Sequence, residues 1–292
     1  MAAPAPAYER HNVSTPRDLD FIYIGQPKSG STWLFEALRT HSEVRLLPSK
    51  SSKYFETDER LDLDPYRELL GKLKPGGLVG EISHDSYMYA STAERLYEAF
   101  PKVKIIVCLR EPGAFAQSVL QWWSTHTKKF GDTPEEMREH PHFRAAMDYE
   151  GGLKRYFDRF PAEQIKVVFF DQLKSDPVGF YASICDFLGV GKEKSVEELT
   201  RVVNKARPPR IPSITRTIYG AGDVFRRAGL GNFVEAVKRS DAVQTVLYAS
   251  ERPVENSIIE AAAAEREALG ARLDQLEAML PTKLPPQWRQ AS

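Results

Sequence analysis

The stretch DFIYIGQPKSGSTW, residues 20–33, decides the fold. Residues 20–26 form an apolar run suited to a short buried strand. A glycine-containing turn follows, and a helical pattern runs from Thr32 to about Thr40. Strand, glycine turn and helix in that order begin an α/β unit. In such a turn, backbone N–H groups converge on an anion and the helix dipole adds about half a positive charge; glycines let the backbone come close. A nucleoside-triphosphate site reads GxxxxGK[ST]. Here Gly25 and Gly30 keep that glycine spacing, but Ser31 stands where the lysine belongs, and Lys28 lies inside the turn. No second segment supplies an apolar strand ending in an obvious magnesium-binding aspartate. The turn therefore reads as a holder of phosphate-like anions, not as a site of Mg·ATP hydrolysis.

Outward from this unit the alternation continues. Residues 44–48 and 78–83 read as strands, with a helix at 64–73 and a Pro-Gly-Gly turn at 75–77 between them. A helix at 90–100 stops at Pro101. Residues 103–109 (VKIIVCL) are the clearest strand, β-branched and continuous as a buried parallel strand should be. Pro112 opens a helix running to about Thr127. Residues 128–144, charged and broken by Gly and Pro, read as an exposed excursion. A helix at 151–160, a strand at 164–170 and a helix at 177–189 ending at Gly189 follow. Residues 201–222 carry five basic residues, three prolines and no acidic residue, so no long helix fits there. Residues 258–280 are helical in pattern. The fold expected is α/β: one doubly wound, mostly parallel sheet with a P-loop-like turn, flanked by helices. Residues 1–19 read as a flexible tail, and 20–292 as a single domain.

Composition sets bounds. The chain has 292 residues, and 40 Lys+Arg balance 40 Asp+Glu for a formal net charge of zero. That argues against general nucleic-acid binding, which shows as a basic excess. Hydrophobic residues make up 42%, enough for a real core. Cys108 and Cys185 both lie in apolar contexts and read as buried free thiols. No apolar run reaches the length of a membrane span, and the N-terminus lacks a signal-peptide pattern, so a cytoplasmic protein is expected. No His/Cys/carboxylate group stands at metal-ligand spacing, so no metal is expected.

A second anion site lies at VKIIVCLREPGAFAQS, residues 103–118. Arg110 ends the clearest strand and points to the crevice where α/β folds bind ligands; its planar fork suits a phosphate. Ser118 follows about two turns into the next helix.

Residues 25–33 (GQPKSGSTW) resemble the 5′-phosphosulfate loop, PKSGTTW or close to it, of sulfotransferases that use 3′-phosphoadenosine 5′-phosphosulfate (PAPS). The Arg110/Ser118 pair resembles that family's 3′-phosphate site. Residues 155–190 resemble its helix, strand, DxLxxDP and FLG region, and 201–222 its basic lid. The resemblance is to the bacterial and heparan-type branches. It implies PAPS as co-substrate and the desulfated nucleotide PAP as product, with no metal. Lys28 would stabilise the bridging and sulfuryl oxygens. Ser29, Gly30, Ser31, Thr32 and Trp33 would form the 5′-phosphate loop, and Lys205, Arg207 and Arg210 would close on the nucleotide. Asn204 and Ala206 stand among these lid residues.

The general base departs from the family pattern. Heparan-type members carry Lys-Glu after the second strand, as in KEPHFF; here the matching residues are Lys50, Ser51, Ser52, Lys53, Tyr54 and Phe55. Ser51 cannot serve as a base at neutral pH, whereas Lys50 is kept and would approach the sulfuryl group. His84, at the end of the strand before the Arg110 strand, is the first substitute, with an ordinary pKa suited to the task. Glu81 is the second and His126 the third. Trp122, Trp123 and Tyr87 are candidates for an acceptor pocket. The acceptor expected is a small-molecule hydroxyl, in bacterial secondary metabolism. Two other readings stay open: a P-loop kinase-like phosphotransferase, and a nucleotide-binding protein of the same fold that has lost its chemistry.

Overall fold

The computed structural model describes residues 17–127, 129–203 and 254–289. Its sheet holds β1 (Phe21–Gly25), β2 (Val44–Leu46), β3 (Leu78–Ile82), β4 (Lys104–Leu109) and β5 (Ile165–Phe169). The strand order is β2-β3-β1-β4-β5, and every neighbouring pair is parallel. Phe21 of β1 stands opposite Gly80 of β3 on one side and Lys104 of β4 on the other. The winding therefore reverses beside β1, which opens a crevice at its C-terminal end, where such sheets bind ligands.

The helices are α1 (Ser31–Leu38), α2 (Asp64–Gly71), α3 (Thr92–Ala99), α4 (Pro112–His126), α5 (Pro134–Glu139) and α6 (Pro141–Met147). They continue with α7 (Tyr149–Phe157), α8 (Phe170–Ser175), α9 (Pro177–Leu188), α10 (Val196–Val203), α11 (Asn256–Gly270) and α12 (Leu273–Met279). No helix among the described residues is long and apolar enough to cross a membrane.

The strands are buried on both faces, which is why they read as continuous apolar runs. Ile22, Ile24, Ile105, Val107, Leu109, Ile165 and Val167 pack with Leu96 of α3, Leu153 of α7 and Leu276 of α12. The alternate residues Phe21, Tyr23, Ile106, Cys108 and Val168 pack with Leu34 of α1, Ile184 of α9 and Leu199 of α10. This period of two sends successive side chains to opposite layers. Both cysteines are buried free thiols.

Three readings of the sequence need correction. Residues 129–144, expected as an exposed and broken excursion, carry two helices: α5 and α6 bury Met137 and Phe143 in a third cluster with Phe115 and Trp123 of α4 and Ile258 of α11, while the other residues of this stretch stay exposed or half-buried. The turn signals there are helix starts. Thr133 and Glu136 form a reciprocal capping box, and Pro134 and Pro141 occupy first helical positions, where a missing N–H costs nothing. Next, the expected tail boundary at residue 19 falls too late. Arg17 donates to the carbonyls of Leu73, Gly76 and Gly77 at 3.1, 3.3 and 3.4 Å, and Leu19 is buried in the first cluster. Finally, the helix expected over 258–280 is two helices, α11 and α12, separated at Ala271 and Arg272.

The C-terminal segment closes on the older elements. Arg266 of α11 pairs with Glu111 at 3.2 Å, while Glu111 caps α4 through the N–H groups of Gly113 and Ala114. Trp288 donates its indole N–H to Asp171 at 2.9 Å and meets Tyr149 and Phe169 edge-on.

Candidate active site

The turn between β1 and α1 is built by conformation first. Lys28 has φ 58° and Gly30 φ 89°, on either side of Ser29. A side chain at Gly30 would meet Leu173 Cδ2 at 2.7 Å, and one at Gly25 would meet the His84 carbonyl at 2.8 Å. Only glycine fits both places. Tyr23 Oη donates to the Ser29 carbonyl at 3.0 Å, and Gln26 fastens the turn to its surroundings. The Gln26 backbone N–H reaches the Cys108 carbonyl at 2.9 Å, its side-chain amide donates to Ala146 O at 3.2 Å, and its Oε1 accepts from Arg110 N at 3.2 Å. No side chain caps α1, so the N–H groups of its first turn point into the crevice with their share of the helix dipole.

Three cations converge on this turn. Lys50 Nζ donates to Thr32 Oγ1 at 2.9 Å and to Ser31 Oγ at 3.2 Å. The Arg110 guanidinium donates to the Lys28 carbonyl at 2.8 Å and lies 4.6 Å from the Phe170 ring centre. Its Nε is buried with no hydrogen-bond partner. Arg110 is not neutralised by its neighbour Glu111, whose carboxylate caps α4. Lys28 Nζ lies 5.6 Å from the Trp122 ring centre. Lys28 opens to the crevice, yet protein crowds its ammonium. That loss of solvation, with Lys50 and Arg110 adding repulsion, pulls its pKa down to about 8. Ser118 stands one helical turn before Trp122, on the same side of α4, half-buried. Trp33 of α1 donates its indole N–H to the Leu199 carbonyl of α10 at 3.1 Å. Lys205, Arg207 and Arg210 lie outside the described residues, as does most of the basic segment 201–222.

Of the expected bases, Glu81 is displaced from that role. It is fully buried, and both oxygens are used: Oε1 accepts from Ser52 N and Oγ at 2.7 Å each, Oε2 from Tyr66 Oη at 2.7 Å. Burial pushes its pKa up. Its work is to anchor the loop that carries Lys50. Ser51 sits buried in that loop at φ 80°, accepting from Lys53 N at 3.1 Å. His126 stacks on Trp122 with ring centres 4.8 Å apart, and its Nδ1 lies 2.9 Å from the Trp122 carbonyl. Trp123 and Tyr87 are core residues, whereas Trp122 keeps a partly open ring beside Lys28.

His84 remains, at the end of β3. Burial first, then Lys50, Lys53 and Lys28, pull its imidazole down to about 3, against the opposing pull of Glu56. Glu56 is the residue that reading the sequence missed. Its carboxylate is buried 3.8 Å from His84 Nδ1 and is paired with Lys53. The only local signal was an acid directly after the Tyr54 and Phe55 pair.

A second polar cluster joins residues far apart in sequence. His41, Glu43 and Glu193 bring potential metal-ligand atoms within 4.8 Å of one another, at the N-terminal edge of the sheet. Sequence spacing could not show this group. His41 Nε2 meets the Gly191 carbonyl at 2.7 Å and its Nδ1 accepts from Glu43 N at 3.0 Å. Glu43 accepts from Gly191 N at 2.7 Å, and Glu193 from Ser42 N at 2.9 Å.

A family model described as "Sulfotransferase family" matches residues 51–194. Human heparan sulfate glucosamine 3-O-sulfotransferase 6 is 26% identical over 179 residues, covering 58% of this chain and 52% of that protein. The human 3B1 enzyme of the same name is 25% identical over 201 residues, covering 64% of this chain and 50% of that protein. The chain thus spans about half the length of these relatives. The crystal structure of a sulfotransferase from Alicyclobacillus acidocaldarius shares the fold, with a TM-score of 0.59 at 22% identity over 94% of this chain and 100% of that one. In matched sequence the chain is similar to sulfotransferases, and it shares their fold.

Proposed function

We propose that the chain moves a sulfuryl group from PAPS to a hydroxyl of a small acceptor, releasing PAP. The observation that carries this reading is the convergence of Lys28, Lys50 and Arg110 on an uncapped helix N-terminus at the switch point of the sheet. The residues fit a multiply charged anion: Arg110 Nε is a buried donor without a partner, and the turn admits no side chain at Gly25 or Gly30. PAPS supplies the activated sulfuryl group. The loop N–H groups, Ser29, Ser31 and Thr32 hold its 5′-phosphate, and Arg110 and Ser118 its 3′-phosphate. Lys205, Arg207 and Arg210 complete the grip.

Sulfuryl transfer is an in-line displacement in which charge grows on the leaving phosphate, so positioning and charge stabilisation dominate. Lys28 is the cation placed for that charge, and Lys50 supports it through Ser31 and Thr32. His84 takes the acceptor proton. Burial first, then Lys50, Lys53 and Lys28, hold its basicity down in the free protein. A polyanionic co-substrate offsets the lysines' part of that shift and so raises the basicity of His84 when the donor is bound. Trp122, beside Lys28, forms one wall for the acceptor. The acceptor is a hydroxyl compound of bacterial secondary metabolism, handled in the cytoplasm; a glucosamine hydroxyl, as in the relatives' names, belongs to the same chemical class.

The test is calorimetry with PAP and with ATP·Mg, followed by transfer from PAPS to a panel of phenols, sterols and saccharides. PAP binding with transfer is the expected result. Preference for ATP·Mg would favour a phosphotransferase, and PAP binding without transfer to any acceptor would favour a binding protein. His84→Ala is expected to lower turnover by about 10²–10⁴-fold with PAP affinity kept.

A further inference from the structure

We infer that Glu56 is a positioning residue that holds His84 in the tautomer with its proton on Nδ1, leaving Nε2 as the proton-accepting atom. This rests on the reading of His84 as the base.

Glu56 brackets His84 along the chain. Its Oε1 accepts from Ser83 Oγ at 3.2 Å and from Asp85 N at 3.3 Å, the residues on either side of the histidine. Ser83 is tied in turn to the sheet through its N–H on Tyr23 O at 2.8 Å. The same Oε1 lies 3.8 Å from His84 Nδ1. Oε2 is held by Lys53. The carboxylate side chain is only 1% exposed, so it has no room to turn away.

His84 Nδ1 is sealed from solvent and has no hydrogen-bond partner. It therefore presents either an N–H or a lone pair to the buried carboxylate. The N–H is attracted to that charge; the lone pair is repelled and no water can compensate it. Asp85 Oδ1, 3.6 Å from Nε2, opposes this choice weakly. Asp85 is more exposed than Glu56, so solvent screens it more, and Lys53 lies 3.8 Å from its carboxylate. The remaining charges around the ring, Lys28, Lys50 and Lys53, are all cations. The buried carboxylate thus decides the tautomer.

In turnover the acceptor O–H bond breaks and an Nε2–H bond forms. The acceptor oxygen gains its bond to sulfur as the sulfur–phosphate oxygen bond of PAPS breaks. The imidazolium then carries one proton on each nitrogen, with Glu56 facing Nδ1–H, until Nε2 releases its proton to water.

The first measurement needs no activity. Two-bond ¹H–¹⁵N spectra of histidine-labelled wild type at neutral pH, with the His84 signal assigned by its loss in His84→Gln, are expected to show a protonated Nδ1. A proton on Nε2 overturns the inference. The second measurement is kinetic. Glu56→Gln is expected to lower kcat about 10²-fold, the cost of a misplaced catalytic group, with KM for PAPS and PAP affinity kept. Glu56→Asp is expected to recover most of that loss. In a His84→Ala background Glu56→Gln is expected to do nothing further; an equal loss there assigns Glu56 a merely structural role. If Glu56→Gln fails to fold, the wild-type spectrum still decides. A His84→Ala enzyme as fast as wild type removes His84 as the base, whichever tautomer the spectrum shows.

Discussion

The two ends of the sheet gather polar side chains in opposite ways. At the N-terminal edge, His41, Glu43 and Glu193 answer one another: each ring nitrogen has a partner, and the carboxylates take the N–H groups of Gly191 and Ser42. At the C-terminal end of β1, like charges are pressed together, Arg110 Nε and His84 Nδ1 are buried without partners, and α1 has no side-chain cap. Buried polar groups are normally satisfied, so a cluster that satisfies itself is a staple. One left with donors and charge to spare is arranged for something not part of the chain. What sets the two ends apart is charge: the crevice presses cations together, whereas at the other edge carboxylates meet backbone N–H groups and a histidine.

Five experiments would break or sharpen that contrast. The largest effect is expected from Lys28→Ala, which should lower PAPS-dependent initial rates by about 10²–10³-fold, the usual cost of one charge-stabilising group. Glu193→Gln should stay within about two-fold of wild type. Equal losses would erase the distinction. Next, Arg110→Ala should weaken PAP binding about 10–100-fold by calorimetry, because a hydrogen bond to a charged group contributes about 1.5–3 kcal/mol. His41→Ala should leave that affinity alone.

Stability should run the other way. His41→Ala leaves the Gly191 carbonyl unmet and should cost about 1–3 kcal/mol in chemical denaturation. Lys28→Met should raise Tm at neutral pH, since the folded state no longer holds a poorly solvated ammonium beside two cations. The Lys28 pKa is lower folded than unfolded, so the unfolded chain binds that proton more tightly. Wild-type stability contributed by this group therefore rises as pH increases from about 8 toward the ordinary lysine range, and Lys28→Met should lose that rise in scanning calorimetry. The smallest effect is on binding: PAP affinity should fall as pH rises through about 8, and Lys28→Arg should flatten the fall.

Much of this was legible in the residues. The apolar run from Val103 to Leu109 could only be a strand covered on both faces, and the glycine turn before Trp33 announced its own geometry. Arg110 and Lys28 declared themselves by position at strand ends. What escaped depended on distance or on small signals. Met137 and Phe143 are single apolar residues in a charged stretch, and only a capping box at Thr133 marked their helices. Glu81 looked like a spare acid because nothing local shows that Ser52 and Tyr66 take both its oxygens. Glu56 and His84 come from different elements, and His41 and Glu193 are about 150 positions apart; periodicity within one element cannot report such pairs.

The contacts of Arg266 and Trp288 have a consequence for the order in which the protein is made. All five strands have been synthesised once Phe169 has been added. The residue that pairs with the α4 cap and the indole that reaches Asp171 are added well after the last strand. A nascent chain can therefore complete its sheet while the wall beside Arg110 is still unbraced, and the segment from Arg266 to Trp288 acts as the keystone.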